Sequence, residues 1–278
     1  WANLQEQEGQ PLVNHAGAET LPPGSIFKII TTAAGLNNGF DPSSTLTGSN
    51  VITLPDTVTE LTNYANQKCN GQDAVTLQTA FALSCNTAFV EMSEQLGADE
   101  LRKYAKAFGV GENYDLGVST SAGTLGDLPD GAATAQSAIG QRDVTMTALQ
   151  AAVMAGTVAN KGTRMQPYLV NRITDAQMKD VRTTKPKKAD QAVNEETAAT
   201  LTDLMYASER SSWGYDGNGF ASKTGTAEHG EGLAPHVWYV AFDPERDIAV
   251  GVVVKNGGNL GESATGGKVS GPIGRAIL

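Results

Sequence analysis

Pro22-Pro-Gly-Ser25-Ile-Phe-Lys28-Ile-Ile-Thr-Thr-Ala-Ala-Gly-Leu36 is the stretch from which the rest of this 278-residue chain can be read. Two prolines and a glycine interrupt whatever precedes them. Ile26, Phe27, Ile29, Ile30, Ala33, Ala34 and Leu36 then recur with the spacing of a largely buried helix. Ser25 is therefore expected at a helix N-terminus, with Lys28 one turn further along the same face. A serine hydroxyl becomes a useful nucleophile only when a neighbouring base takes its proton. Lysine serves as that base when burial or nearby positive charge lowers its pKa. The free N–H groups of the first turn add donors for an oxyanion.

Alone, Ser-x-x-Lys equally describes a surface N-cap serine with an unrelated lysine a turn later. Two further strings change that reading. Thr76 to Leu83 is helical in pattern, Phe89, Val90, Met92 and Leu96 carry a second helical run, and Ser84-Cys85-Asn86 interrupts the two. Polar side chains at such a junction must find partners or stay wet. Read as chemistry, Ser84 relays a proton between a lysine and a leaving amine, and Asn86 holds a substrate amide; read blandly, both residues only cap helices. Ala221-Ser-Lys-Thr-Gly-Thr-Ala227 precedes two good strand candidates, Val237 to Phe242 and Ile248 to Val254, and is itself expected to be a strand edging the site. Gly225 would admit a second backbone, as a peptide adding itself as a strand requires. Lys223 supplies positive charge, the Thr224 and Thr226 hydroxyls suit a carboxylate, and the Thr226 N–H could join that of Ser25 in an oxyanion hole. A simple bulge is the plainer reading of that glycine.

Taken in order, Ser25-x-x-Lys28, Ser84-x-Asn86 and Lys223-Thr-Gly225 form a recognised signature of active-site serine enzymes, with Cys85 standing where Asp is usual. The chain resembles the transpeptidase domain of a monofunctional class B penicillin-binding protein, most closely the actinobacterial A type, nearly end to end. Leu21 to Lys28, Ala82 to Phe89, Ser137 to Arg142, Ser222 to His229 and His236 to Val240 carry the likeness. The resemblance implies an α+β fold: a five-stranded antiparallel sheet flanked by helices, with a largely helical subdomain over roughly residues 36–210. It implies acylation of Ser25 by the penultimate D-Ala of a peptidoglycan stem peptide, with Lys28, Ser84 and Lys223 catalytic and Asn86, Thr224, Gly225 and Thr226 binding substrate. β-Lactam antibiotics would acylate Ser25 in the same way. Implied partners are stem peptides, β-lactams and proteins of cell-wall synthesis and division. Implied too is a place on the extracytoplasmic face of the bacterial membrane, held by a pedestal and anchor N-terminal to this piece. No cofactor or metal is implied.

The rest of the chain is compatible. Helical patterns dominate roughly residues 25–37, 76–108, 143–160 and 194–208, strand patterns cluster after 219, and residues 39–73 and 111–135 read as loops. Lys179 to Lys188 reads as a basic surface segment. Only 24 residues precede Ser25, too few to supply both early strands of the implied fold. There is no apolar run of about 18 residues. A net charge of −10 argues against nucleic-acid or anionic-membrane binding. Near the site, the local field of Lys28, Lys223 and the helix terminus must outweigh that charge, as screening over about 10 Å allows. His15, His229 and His236 have no metal spacing. Gly266-Gly-Lys268 suggests a phosphate loop, but Glu262 stands where its first glycine belongs and Val269 where Ser or Thr is needed.

A β-lactamase or D,D-carboxypeptidase with the same nucleophile, and a non-enzymatic penicillin sensor, are the competing readings. Against the β-lactamase, no Glu-x-x-Leu-Asn string is present to position a deacylating water. Cys69 and Cys85 are the only cysteines. Outside the membrane, thiols tend to pair, and a bridge would pin the Ser84-Asn86 loop. Inside a reducing compartment Cys85 would be a small buried apolar residue and Cys69 a surface thiol.

Overall fold

A computed structural model describes residues 1–7, 9–230 and 232–278. Among them the strand-prone residues after 219 build the main sheet from three antiparallel strands: Ala221–Ala227 at one edge, His236–Asp243 in the centre and Ile248–Val254 beyond it. Register pairs Lys223 with Val240, Gly225 with Trp238 and Thr226 with Val237. Opposite residues share a face and successive residues alternate. Lys223 and Gly225 therefore lie on the side of Trp238 and Val240, while Ser222, Thr224 and Thr226 lie on the side of Tyr239 and Ala241.

Each face has its own cover. Trp238, Val240 and Phe242 merge into one large core with Ile26, Phe27, Ile30, Phe81, Phe89, Met154 and Leu201. That core unites the sheet with the helices Lys28–Leu36, Leu77–Leu83, Asn86–Ala107, Ala148–Ala159 and Glu195–Ser211. On the other face Tyr239, Ala241 and Val250 pack with Leu278. The helix Ser270–Ile277 lies there, its Ser270 hydroxyl donating to the Val237 carbonyl at 2.6 Å.

The helix-and-antiparallel-sheet class agrees with the implied α+β fold, but the sheet has three strands among the described residues, not five. Upstream of Ser25 the chain forms the short helices Ala2–Gln5 and His15–Ala18, and Leu21 makes a single antiparallel bridge to Met146 without joining the sheet. No run of alternating or β-branched residues exists there to form a strand. Two segments read as loops are also more ordered than expected. Within 39–73, the three-residue strands Val51–Thr53 and Glu60–Thr62 pair antiparallel with each other and Thr45–Thr47 pairs antiparallel with Ala74–Thr76, all too short to leave a periodic signal. Gly131–Ala138 is a helix, capped by the Asp130 side chain on the Ala133 N–H at 2.7 Å. Its small residues fit closely against the helix Asn86–Ala107, so packing overrides weak propensity. The basic segment Lys179 to Lys188 falls on the solvent-exposed strands Asp180–Thr183 and Lys188–Gln191.

What aims Ser25 is a close backbone contact. The Gly24 N–H donates to the Gly140 carbonyl at 2.9 Å. Gly140 has φ +73, and a Cβ there would sit directly on the Gly24 carbonyl oxygen and 2.8 Å from Phe27 Cβ. Gly140→Ala combines left-handed strain of about 1–2 kcal/mol with overpacking of about 1–3 kcal/mol. We expect the unfolding midpoint to fall by several degrees, at roughly 2–4 °C per kcal/mol for a domain of this size. A thermal melt unchanged within about 1 °C would show that this turn yields without cost.

Candidate active site

Ser25 lies in the 3-10 turn Gly24–Phe27 that leads directly into Lys28–Leu36. The two pieces form one continuous N-terminal entry, so Ser25 is half-buried while Lys28 is fully buried one turn below it. The Lys28 ammonium nitrogen Nζ is 3.1 Å from Ser25 Oγ, 2.7 Å from Asn86 Oδ1, 2.8 Å from the Ser84 carbonyl oxygen and 3.3 Å from Ser84 Oγ. A neutral amine has two N–H groups and one lone pair. If its two N–H groups go to the two closest acceptors, Asn86 Oδ1 and the Ser84 carbonyl, the lone pair is left for the Ser25 hydroxyl.

Ser84 closes a second link, because Lys223 Nζ is 3.0 Å from Ser84 Oγ. Local chain chemistry explains its placement. The helix Leu77–Leu83 ends with the Ser84 N–H on the Phe81 carbonyl and the Cys85 N–H on the Ala80 carbonyl, the paired closure that puts a left-handed residue just past the helix. Glycine usually fills that position. Here it is Ser84, at φ 63 and ψ 39. A serine in this conformation costs on the order of 1 kcal/mol relative to glycine, and its hydroxyl is thereby held between two lysines.

Both lysines are fully buried, with the Phe89 ring 5.2 Å from Lys28 Nζ and the Phe81 ring 5.7 Å from Lys223 Nζ. Burial pushes the Lys28 amine well below the usual lysine range, and the positive Lys223 beside it pushes the same way. Burial brings Lys223 down to about 7. The site thus holds two amines that can be neutral near physiological pH, joined by a hydroxyl. Proton transfer is the chemistry such a chain supports.

The edge strand brings the third string in. Gly225 lies against the turn that carries Ser25: a Cβ there would come within 2.8 Å of the Pro23 carbonyl oxygen and 3.1 Å of Ile26 Cγ2. Thr224 and Thr226 are half-buried on the opposite face of the strand from Lys223, and the Thr226 hydroxyl accepts from the Gly266 N–H at 3.4 Å. The structure therefore joins Ser25, Lys28, Ser84, Asn86 and Lys223 by direct hydrogen bonds; Lys223 Nζ also donates to the Thr224 carbonyl at 3.1 Å, while the Thr224 and Thr226 side chains border that cluster without bonding to it.

Cys69 and Cys85 are joined in a disulfide, with Cα atoms 5.7 Å apart. It ties the loop before Leu77–Leu83 to the residue between Ser84 and Asn86. Closing a loop of this length is worth roughly 3 kcal/mol in the chain-entropy account. The sequence reading missed three sets of contributors: Phe81 and Phe89, seen only as apolar residues of helical runs; Gly266, seen only in a string that suggests a phosphate loop; and Thr62-Asn63, of which the Thr62 carbonyl accepts from Asn86 Nδ2 at 3.1 Å. The last pair carries no motif. Its one clue is its closeness to Cys69 along the chain, which the bridge brings to Cys85.

Among the described residues no group of three or more His, Cys, Asp or Glu could hold a metal ion. No helix among them is long and apolar enough to cross a membrane.

Residues 2–278 match the family model described as the penicillin binding protein transpeptidase domain. The chain is 44% identical to the peptidoglycan D,D-transpeptidase PbpA of Mycolicibacterium smegmatis, over 100% of this chain and 58% of that protein. It is 42% identical to PbpA of Mycobacterium tuberculosis with the same coverage. Among solved structures, penicillin-binding protein A from M. tuberculosis as a ceftriaxone acyl-enzyme complex superposes with a TM-score of 0.95 at 42% identity, covering 100% of this chain and 64% of that one. The chain thus spans a little over half the length of the curated relatives it matches.

Proposed function

We propose that this chain, which belongs to the penicillin-binding-protein transpeptidase family, is the catalytic part of a peptidoglycan D,D-transpeptidase that cross-links stem peptides through an acyl-Ser25 intermediate. One observation carries the reading: the hydrogen-bonded line Ser25 Oγ, Lys28 Nζ, Ser84 Oγ, Lys223 Nζ, with both amines buried and depressed in pKa.

On this reading Ser25 Oγ attacks the carbonyl carbon of the penultimate D-Ala while its proton passes to the neutral Lys28 amine. The oxyanion is met by the backbone N–H groups of Ser25 and Thr226. As the tetrahedral centre collapses, the C–N bond to the last D-Ala breaks. The leaving nitrogen takes a proton from the Ser84 hydroxyl, which is resupplied by Lys28 or Lys223. An amine of a second stem peptide then attacks the acyl carbon, gives up its proton along the same line, and releases Ser25 as the new amide forms. Asn86 and the strand Lys223 to Thr226 hold the donor peptide, with the Thr224 and Thr226 hydroxyls on its terminal carboxylate. A β-lactam enters the first half of this sequence and halts at the acyl-serine.

The relatives are named as peptidoglycan transpeptidases, which supports a role in cell-wall synthesis. The disulfide supports an oxidising, extracytoplasmic setting. An N-terminal membrane anchor and contacts with cell-wall and division proteins belong to the same proposal.

The test is intact mass after a penicillin, followed over hours, then turnover of a D-Ala-D-Ala peptide with an added amine. A persistent one-to-one adduct and aminolysis product are expected. Rapid loss of the adduct would mean a β-lactamase. Hydrolysis without aminolysis would mean a carboxypeptidase, and an adduct without any turnover a sensor.

A further inference from the structure

The Asn86 side chain has two ends, and only one of them faces the lysine. Its Oδ1 accepts from Lys28 at 2.7 Å, while its Nδ2 donates to the Thr62 carbonyl at 3.1 Å. That second bond fixes which way the amide points. Flipped, its NH2 would meet Lys28 Nζ and compete for the lone pair the mechanism needs.

The Thr62 carbonyl lies at the end of the short strand Glu60–Thr62, opposite Val51; the ladder gives this carbonyl no donor of its own, and its peptide plane is held from the far side by the Asn63 N–H, which donates to the Asn50 carbonyl at 3.1 Å. The side chain of that next residue anchors the strand end further. Asn63 is 6% exposed, and its carboxamide contacts three residues. Nδ2 lies 2.9 Å from the Ser49 carbonyl oxygen, 3.2 Å from that of Gln67 and 3.1 Å from Thr87 Oγ1. Oδ1 accepts the Thr87 N–H at 3.1 Å. The Thr87 hydroxyl donates in turn to the Ser49 carbonyl at 2.9 Å.

The contact to Thr87 has a reason in helix chemistry. Asn86–Ala107 begins after Cys85, which makes no side-chain cap, since its sulfur is spent in the disulfide. Helix starts with no capping oxygen leave N–H donors unsatisfied. Asn63 supplies that oxygen from a loop 24 residues earlier in the sequence. One carboxamide thus caps the helix that starts with Asn86 and anchors the strand end that orients the Asn86 amide.

We propose that Asn63 is a positioning residue for the acylation base, acting on Lys28 through the Thr62 carbonyl and the Asn86 amide. The inference rests on the reading of Lys28 as base and deepens it. A double-mutant cycle separates this from a general contribution to folding, because residues acting through one another are non-additive. The second-order rate of acylation by a fluorescent penicillin is measured for the parent, Asn63→Ala, Asn86→Ala and the double variant, with thermal melting recorded alongside. Asn63→Ala is expected to slow acylation by about tenfold or more. In the Asn86→Ala background the same change is expected to cost less than about twofold, because the amide it orients is gone. Multiplicative losses in the double variant overturn the inference, as does an unchanged rate in Asn63→Ala.

Should Asn63→Ala fail to fold, Asn63→Ser keeps an oxygen near Thr87, and its crystal structure reads the coupling without any turnover. Asn86 Oδ1 moved beyond hydrogen-bond reach of Lys28 Nζ is expected, and an unmoved Asn86 overturns it. A parent that takes up no penicillin would instead sink the proposed function, and the structural arm would still decide the positioning.

Discussion

Ser25→Ala is expected to abolish covalent labelling by a fluorescent penicillin and leave the thermal melt essentially where it was. The first half follows from atom economy: Oγ is the only atom lost, and it is the atom that becomes acylated. The second half follows from the surroundings. Ser25 is half-buried, and its hydroxyl oxygen is one of four oxygens crowded about Lys28 Nζ, three of which remain. Removing one oxygen here opens no cavity in the core and orphans no donor, so a stability change within about 0.5 kcal/mol is expected. Labelling that survives in Ser25→Ala would place the nucleophile elsewhere and end the acyl-Ser25 reading. Lost labelling together with a collapsed melt would leave the fold, and not the nucleophile, as the cause. Near-ultraviolet circular dichroism alongside the melt separates the two.

How far the sequence reaches can be judged residue by residue. Ser25 and Lys28 are legible because their relation is local: a buried apolar helix pattern fixes the face, and three positions make one turn. Ser84 is legible as a polar interruption between two helical runs, but not as a serine in a glycine conformation, because the closure of Leu77–Leu83 that demands it usually announces itself by a glycine and here does not. Lys223 is legible on its strand, yet its meeting with Ser84 across 139 positions is a product of the whole core. The sheet shows the opposite weakness. Three strands stand out through their β-branched and aromatic runs, whereas the implied further two have no such run in this chain. Strands of three residues between 45 and 62, and a helix made of Gly, Ala, Thr and Ser with a single Gln, fall below the signal that periodicity needs. Asn63 is the extreme case. A single asparagine in a polar loop carries no pattern, and only the fold shows that its carboxamide caps a helix lacking a cap of its own.

Lys28→Arg is expected to damage acylation nearly as much as removing the amine altogether, although it keeps the charge. Lys28 works on this reading because burial and Lys223 hold its pKa well below the usual lysine range, so a useful fraction is neutral at physiological pH. The sign of the pH dependence follows. Lowering the pH through that depressed pKa protonates the amine and consumes the lone pair, so the parent's acylation rate should fall toward acid and rise toward alkali. A guanidinium stays protonated throughout and cannot accept the Ser25 proton. A general base contributes typically 10²–10⁴-fold, and a loss of roughly that size is expected. The permanent charge of arginine would also repel Lys223, driving that amine further toward its neutral form from the value of about 7 that burial gives it. Residual activity in the variant would then reach Ser25 only indirectly, through the Ser84 hydroxyl. Its acid limb should then report the Lys223 amine and no longer that of Lys28. The measurement is the second-order acylation rate across roughly pH 6 to 9, with protein folding checked at each pH. An arginine variant that acylates within a few-fold of the parent, on the same pH profile, would mean that Lys28 is only an electrostatic support and that Lys223, through Ser84, is the base.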